Sequence, residues 1–277
     1  MFNTSTYIDP LYSPLGIKYQ QAHSGPYQDV STKNIIAGLK QEELSGFGRP
    51  MIDNGEAIKE EIDSLWKISN RMWYRDYFVS GGLSEVSKFL LKHEVKHCPY
   101  FTQVIDLTKE GARLHGDMRK SYKHLVNKGK DAYETVIIDK DSPQGKIQDE
   151  IQNFRQFHIE IIGRETRPPL TWELQRKQIQ ADEGFAVFGL KAGDIVAAAF
   201  FIYNKISCYY GVSVSAEDIN SHWLIWEAIR HAKHKLGCRY FDLGEQQFVG
   251  THKQYNISLF KRGFGGQTKM YLEFKTE

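Results

Sequence analysis

The sequence is short of cysteine. Cys98, Cys208 and Cys238 lie far apart and no CxxC pair occurs, so an odd, scattered set speaks against a disulfide framework and fits a reducing, cytoplasmic setting. A basic stretch followed by an apolar run is missing from the opening residues, "MFNTSTYIDPLYSPLG", and no signal peptide is expected. Long hydrophobic runs are missing too. The longest, "IVAAAFFIY" from Ile195 to Tyr203, is far short of the roughly 20 residues that cross a bilayer. It reads as a buried strand, and work at a membrane face stays open. GxSxG, P-loop and Rossmann glycine patterns are absent, which counts against hydrolase, NTPase and dehydrogenase chemistry. There is also little net charge. A balance of +2 neither demands nor forbids a nucleic-acid partner, because local patches set that attraction.

What is present is a foldable chain, since 41% hydrophobic and 13% aromatic residues supply a packed core. The C-terminal half is the more legible. "YETVII" is a strand rich in β-branched residues. "QDEIQNFRQFHIEIIG" has helical spacing and stops at Gly163, and a second helix is expected from "TWELQRKQIQA" with Thr171 as N-cap. "FAVFGLK", "IVAAAFFIY" and "ISCYYGVSV" follow as strands, with turns short enough for an antiparallel meander. "SHWLIWEAIRHAKHKLG" is an amphipathic helix capped by Ser221 and closed by Gly237. "CRYFDLG" follows at once, so a parallel crossover is expected there. A short linking segment containing "SLFKRGFGG" leads to a last strand, "KMYLEFK". In the N-terminal half, "KNIIAGLK" and "YFTQVIDL" suggest strands, and "EAIKEEIDSLWKISNRMW" and "LSEVSKFLLKHEV" suggest helices. One basic helix, "GARLHGDMRKSYKHLVNKGKDA", bridges the halves. The mixed order implies an α+β (mixed α/β) fold with helices on both faces of a sheet.

Four segments, in this order, resemble the FemAB/FemX-like branch of the GNAT acyltransferase superfamily: "VIDLTKEGARLHGDMRKSYKHLVNKG", "HWLIWEAIRHAKHKLG", "RYFDLGE" and "LFKRGFGG". The likeness covers Val104 to Gly266, and "GFGRP" (Gly46 to Pro50) is a weaker match to a loop of the family's first domain. The resemblance implies a GNAT-like fold in tandem. Residues 1–108 would form a degenerate N-terminal GNAT-like domain, and residues 109–277 the acyltransferase domain with the bridging helix. It implies transfer of an acyl or aminoacyl group to an amine, with no metal or other cofactor required. The chain departs from the family in two ways. There is no sustained heptad insertion for the coiled-coil arm of some tRNA-using members. The segment where a CoA-dependent relative carries its glycine-rich pyrophosphate loop reads "VSAEDINSHW", without glycine and with Glu217 and Asp218, which argues against ordinary acetyl-CoA binding.

Lys261 matches the lysine of the family's Phe-Lys pair, which implies an oxyanion-stabilising role; read from spacing alone, it is a surface lysine on a turn. Phe260 would exclude water beside it, and Gly263, Gly265 and Gly266 would let backbone approach a substrate. Asp242 and Glu245 fall at the C-terminal end of a strand beside a crossover, where ligands gather, so either is a candidate general base or a local ion-pair partner. Tyr209 and Tyr210 point to opposite faces, and Tyr210 is taken as substrate-lining or as core. Arg119 and Lys123, four apart, share a helix face. With Arg113, Lys120 and Lys128 they suit phosphates or plain solvation. Arg164 and Arg167 in "GRETRPP" form a second phosphate-like pair. His93, His97 and Cys98 have metal-like spacing but read as a solvated helix end. The expected acceptor is a phosphate-bearing or lipid-linked amine, for example a cell-envelope glycan or peptidoglycan precursor. The expected donor is an aminoacyl-tRNA held by its acceptor end, with acyl-CoA or acyl carrier protein as the alternative, and a non-catalytic binding protein is the third reading.

Overall fold

The computed structural model describes residues 10–25, 27–33, 35, 37–46, 55–76 and 83–276. In chain order the elements are a 3-10 turn (Pro10–Tyr12), α1 (Pro14–Ser24), β1 (Gln28–Asp29), β2 (Ala37–Lys40), β3 (Glu43–Gly46), α2 (Gly55–Ile68), β4 (Arg71–Asp76), α3 (Glu85–Lys92), β5 (His97–Asp106), α4 (Gly111–Asp117), α5 (Lys120–Ala132) and β6 (Glu134–Ile138). Then follow α6 (Gln144–Ile162), α7 (Pro169–Gln180), β7 (Gly184–Lys191), β8 (Asp194–Tyr203), β9 (Ser207–Ser215), α8 (His222–His234), β10 (Tyr240–Glu245), α9 (His252–Gly263) and β11 (Gln267–Lys275). All strands join one sheet in the order β1-β2-β3-β4-β11-β5-β10-β9-β8-β7-β6.

The expected meander is present: β7 to β9 pair antiparallel, and β6 extends them. β9 and β10 pair parallel through the α8 crossover, because a helix of that length returns the chain to the same end of the sheet. The same device recurs in the N-terminal half, where α2 carries the chain between parallel β3 and β4. Alternation sends Phe185, Val187, Phe201, Phe241 and Leu243 to one face, under α5 and α8. It sends Ala186, Phe188, Phe200 and Val212 to the other, under α6 and α7. A further core joins Leu44, Ile58, Leu65, Met72, Leu90 and Phe274. The sheet runs without a break across the 108/109 boundary, and the C-terminal strand β11 lies between β4 and β5.

Several local expectations change. The bridging helix is two helices, broken at Met118 and Arg119, both extended. Met118 is driven into the core, and the Arg119 N–H bonds the Gly263 carbonyl at 2.9 Å rather than its own helix. Thr171 is not the N-cap of α7. Pro168 takes that position with Pro169 at N1, where a missing N–H is harmless, and Thr171 Oγ1 donates to the Pro168 carbonyl at 2.7 Å. Ser221 precedes α8 without a side-chain cap bond. The "RMW" expected at the end of a helix opens β4 instead. The "SLFKRG" segment, expected as linker and turn, is the second half of α9. Apart from Gly46 at the end of β3, the "GFGRP" loop lies outside the described residues.

Candidate active site

The candidate site forms where β9 and β10 part. Their pairing covers Ser207–Tyr209 with Tyr240–Asp242 and goes no further. Each strand carries an extra residue at this level. In β9 the register against β8 slips between Tyr210 and Val212, leaving Gly211 unpaired. In β10 the three steps from Asp242 to Glu245 match two on β5, from Val104 to Thr102. Such bulges bend a strand and re-aim its side chains. Gly244 sits in the β10 bulge with φ +82°, a conformation that suits glycine. Its N–H donates to Asp242 Oδ1 at 2.7 Å, so one role of Asp242 is to hold the bulge.

Lys261 reaches this bulge from the last turn of α9. A capping box between Thr251 and Gln254 starts that helix, and Ser258 Oγ accepts the Gln247 N–H at 2.8 Å, fixing the helix to the loop after β10. Lys261 is half-buried, and Nζ donates to the Glu245 carbonyl at 2.9 Å. A Cβ placed on Gly244 would lie 3.4 Å from both Lys261 Nζ and Tyr209 Oη. Ammonium and phenol therefore converge on one bare stretch of backbone. Burial pulls the Lys261 pKa below the ordinary lysine value, and the Asp242 and Glu245 carboxylates oppose that shift.

Beside Lys261 stands an aromatic cluster. Phe260 and Phe264 meet edge to face at 5.2 Å, and both pack on Tyr122 and His222. His222, the first residue of α8, is buried and its Nδ1 has no partner. Burial, helped by the Arg119 guanidinium, lowers its pKa to about 4. It is therefore a neutral ring at neutral pH. Sequence reasoning missed both Tyr209 as the site-facing tyrosine and His222. The signals were there: Tyr209 lies two residues before the bulge glycine Gly211, and His222 follows the serine at the head of α8.

The other expected residues are placed as follows. Tyr210 packs against the core, its ring stacked on Phe201 at 5.5 Å and its hydroxyl bonded to Ser213. Gly263, Gly265 and Gly266 do allow close approach, but to the protein itself. A Cβ at these positions would meet the Tyr122 ring at 2.1 Å, the Asp117 carbonyl at 2.9 Å and the Val104 carbonyl at 2.4 Å. Arg119 and Lys123 do not share a helix face. Arg119 precedes α5 with its guanidinium 5.1 Å from the Tyr122 ring, near His222. Lys123 turns back to the Gly116 carbonyl at 2.9 Å. Arg113 pairs with Asp117, while Lys120 and Lys128 are exposed. Arg164 is exposed at the turn between α6 and α7, and Arg167 donates to His158 Nε2 at 3.2 Å. That turn leaves the same end of the sheet as the C-terminal ends of β9 and β10. α6 starts beyond the opposite end, after β6, and runs back along the antiparallel meander. The "KHEVKHC" segment is not a helix end throughout: His93 caps α3 against Phe89, and His97 opens β5 against Phe274. A separate groove of about 480 Å³ between α6 and α7 has its cations Arg155 and Arg176 paired with Glu165 and Glu173.

No family model matches the sequence, and no curated protein matches it. Solved structures do. L-PGS from Bacillus licheniformis superposes with a TM-score of 0.64 at 13% identity, over 95% of this chain and 86% of that one. FemX superposes with a TM-score of 0.63 at 11% identity, over 90% and 87%. A domain assigned to the C-terminus of a lysylphosphatidylglycerol synthetase from Agrobacterium fabrum gives 0.60 at 16% identity, over 88% and 81%. The fold is GNAT-like, in its FemX-like form. Within that FemX-like fold, the parting strands are β9 and β10 and the crossover helix is α8. The FemX-like match spans both halves of the chain, N-terminal elements included.

Proposed function

We propose that this protein is an acyltransferase that moves an aminoacyl or other acyl group onto an amine of a phosphate-bearing acceptor, such as a cell-envelope glycan or peptidoglycan precursor. The observation that carries the proposal is the convergence of Lys261 Nζ and Tyr209 Oη over Gly244 at the parting of β9 and β10. The acceptor amine attacks the acyl carbonyl carbon, and the carbonyl oxygen takes up negative charge. Lys261, half-buried and with one N–H engaged by the Glu245 carbonyl, supplies a fixed cation for that oxygen. Asp242 or Glu245 takes the proton that the amine sheds. The tetrahedral intermediate collapses by breaking the bond to the donor oxygen or sulfur, which leaves with the proton that the carboxylate returns. Residues 1–108 act in this reading as the degenerate partner of the C-terminal GNAT-like domain.

An aminoacyl-tRNA is the favoured donor. The first turn of α8, where a pyrophosphate would need open backbone N–H groups, carries His222 inside the cluster of Tyr122, Phe260 and Phe264. Exposed Glu217 and Asp218 stand in the loop before it. The test is a transfer assay with amine acceptors, offering charged tRNA and acyl-CoA separately to wild type, Asp242→Asn and Glu245→Gln. Transfer from charged tRNA that weakens steeply with salt, and that one of the two carboxylate variants abolishes, is the expected result. Turnover on acyl-CoA alone would overturn the donor, and no transfer from either would overturn the reaction.

A further inference from the structure

Most exposed large apolar side chains of the described residues stand at one end of the sheet. Phe248 and Val249 lie in the loop from β10 to α9, Tyr255 and Ile257 in the first half of α9, and Met270 on β11. Met270 pairs with Phe101, one residue beyond the Thr102–Glu245 pair, which puts it level with the C-terminal end of β10. Ile161, Ile162 and Leu170 flank the α6–α7 turn, which leaves that same end. The loop tip is braced. Phe248 meets Phe101 edge to face at 5.1 Å, and the Arg262 guanidinium lies 5.4 Å from its ring. Val249, 92% exposed, is thus held out in water on a supported loop. Exposed apolar groups gathered in this way mark an interaction surface.

The chain that carries the first tip is basic, while exposed Glu165 at the second tip and exposed Glu217, Asp218 and Glu245 at the ends of β9 and β10 add negative charge beside it. From Gln246 to Leu272 the chain has no aspartate or glutamate, yet it carries Lys253, Lys261, Arg262 and Lys269. Lys253 is exposed, as is Arg164 at the second tip, while Lys269 turns the other way, its Nζ 5.2 Å from the Tyr240 ring at the start of β10. Apolar tips rimmed by lysine and arginine suit the boundary between headgroups and acyl chains of an anionic bilayer. We propose that this end of the sheet docks on an anionic membrane surface. Val249 and Phe248 enter the boundary, and Lys253 and Arg164 meet lipid phosphates. Docking stands without the proposed reaction. Its corollary rests on that reaction: Lys261, about two and a half helix turns from the membrane-facing start of α9, would act on an acceptor borne by a lipid.

Flotation with phosphatidylcholine vesicles, with and without phosphatidylglycerol, tests this. Wild type is expected to float with the phosphatidylglycerol vesicles only. Val249→Asp should weaken that binding by about tenfold or more, and Lys253→Glu by about fivefold or more, with unchanged melting temperatures. Val249→Asp should keep full transfer to a water-soluble acceptor. Lys261→Met should float like wild type while its transfer falls by about 10²–10³-fold, so docking and reaction fail separately. Wild type that does not float overturns the proposal. So does Val249→Asp that floats like wild type, since adsorption would then be charge alone. A wild-type dimer that Val249→Asp splits would hand the patch to a second copy of the chain and overturn it as well.

Discussion

Among single residues, Lys261 and the glycine beneath it matter most to the proposed reaction. A lysine that donates to a backbone carbonyl and is partly stripped of water is held in one place, which is what stabilising a developing oxyanion requires. Lys261→Met should lower kcat/KM by about 10²–10³-fold and leave the melting curve in place, since removing a poorly hydrated cation removes a desolvation cost as well. The lowered pKa gives this a pH signature. If the cation acts, activity should fall on the alkaline side at a pH below the ordinary lysine value of about 10.4, a limb that rate–pH profiles would show. Gly244→Ala tests the platform. At φ +82° a Cβ costs about 1–2 kcal/mol, and it would press on Lys261 Nζ and Tyr209 Oη. Activity should drop by more than the stability loss measured by denaturant titration explains.

At the element scale, α9 is positioned by its two ends. Its start depends on the Thr251–Gln254 capping box, and its end on Gly263 seated against the Tyr122 ring. Gly263→Ala should destabilise the fold by about 1–3 kcal/mol, the usual cost of overpacking, with the loss read from urea unfolding. The first residue of α8 makes the fold acid-sensitive. His222 titrates near 4 when folded against 6.5 ordinarily, so between those values the unfolded chain binds more protons and stability falls as pH falls. The loss attributable to this ring is on the order of 3 kcal/mol, complete below pH 4. His222→Phe, which keeps an aromatic ring in the cluster, should flatten that part of the stability–pH curve. If wild type and variant lose stability in parallel between pH 6.5 and 4, His222 is not the sensor.

At the scale of the whole molecule, the last strand closes the sheet. β11 pairs with β4 on one side and β5 on the other, and Arg75 on β4 bonds Glu273 across the first of these seams at 2.5 Å. A chain ending at Gly266 would leave both neighbours with unpaired backbone edges, which recruit other chains. Such a truncation should be insoluble or aggregate, whereas trimming only after Thr276, which still bonds Met72, should be tolerated; expression and sedimentation would separate the two. Because β11 follows α9 directly, the site lysine is anchored to the strand that ties the halves together.

The C-terminal elements were legible because their causes are local. Short β-branched and apolar runs made β6 to β9, a 3.6-period stripe made α8, and the tight connections around α8 forced β10 parallel to β9. The Phe260-Lys261 pair and the Asp242–Glu245 end of β10 were legible by motif. The second half of α9 was not read as helix, although "THKQ" carries the capping-box signature, because the glycines after Lys261 suggested a turn. Those glycines pack against Tyr122, Asp117 and Val104, contacts from segments more than a hundred residues away. The same distance hid the break between α4 and α5, which exists because Arg119 bonds the end of α9. It also hid the choice of Tyr209 over Tyr210, which depends on bulges set by neighbouring strands. Local pattern determined which elements form and which chemical groups they carry. Only tertiary packing decided which of those groups meet, because meeting depends on strand order, register and backbone contacts that no single segment encodes.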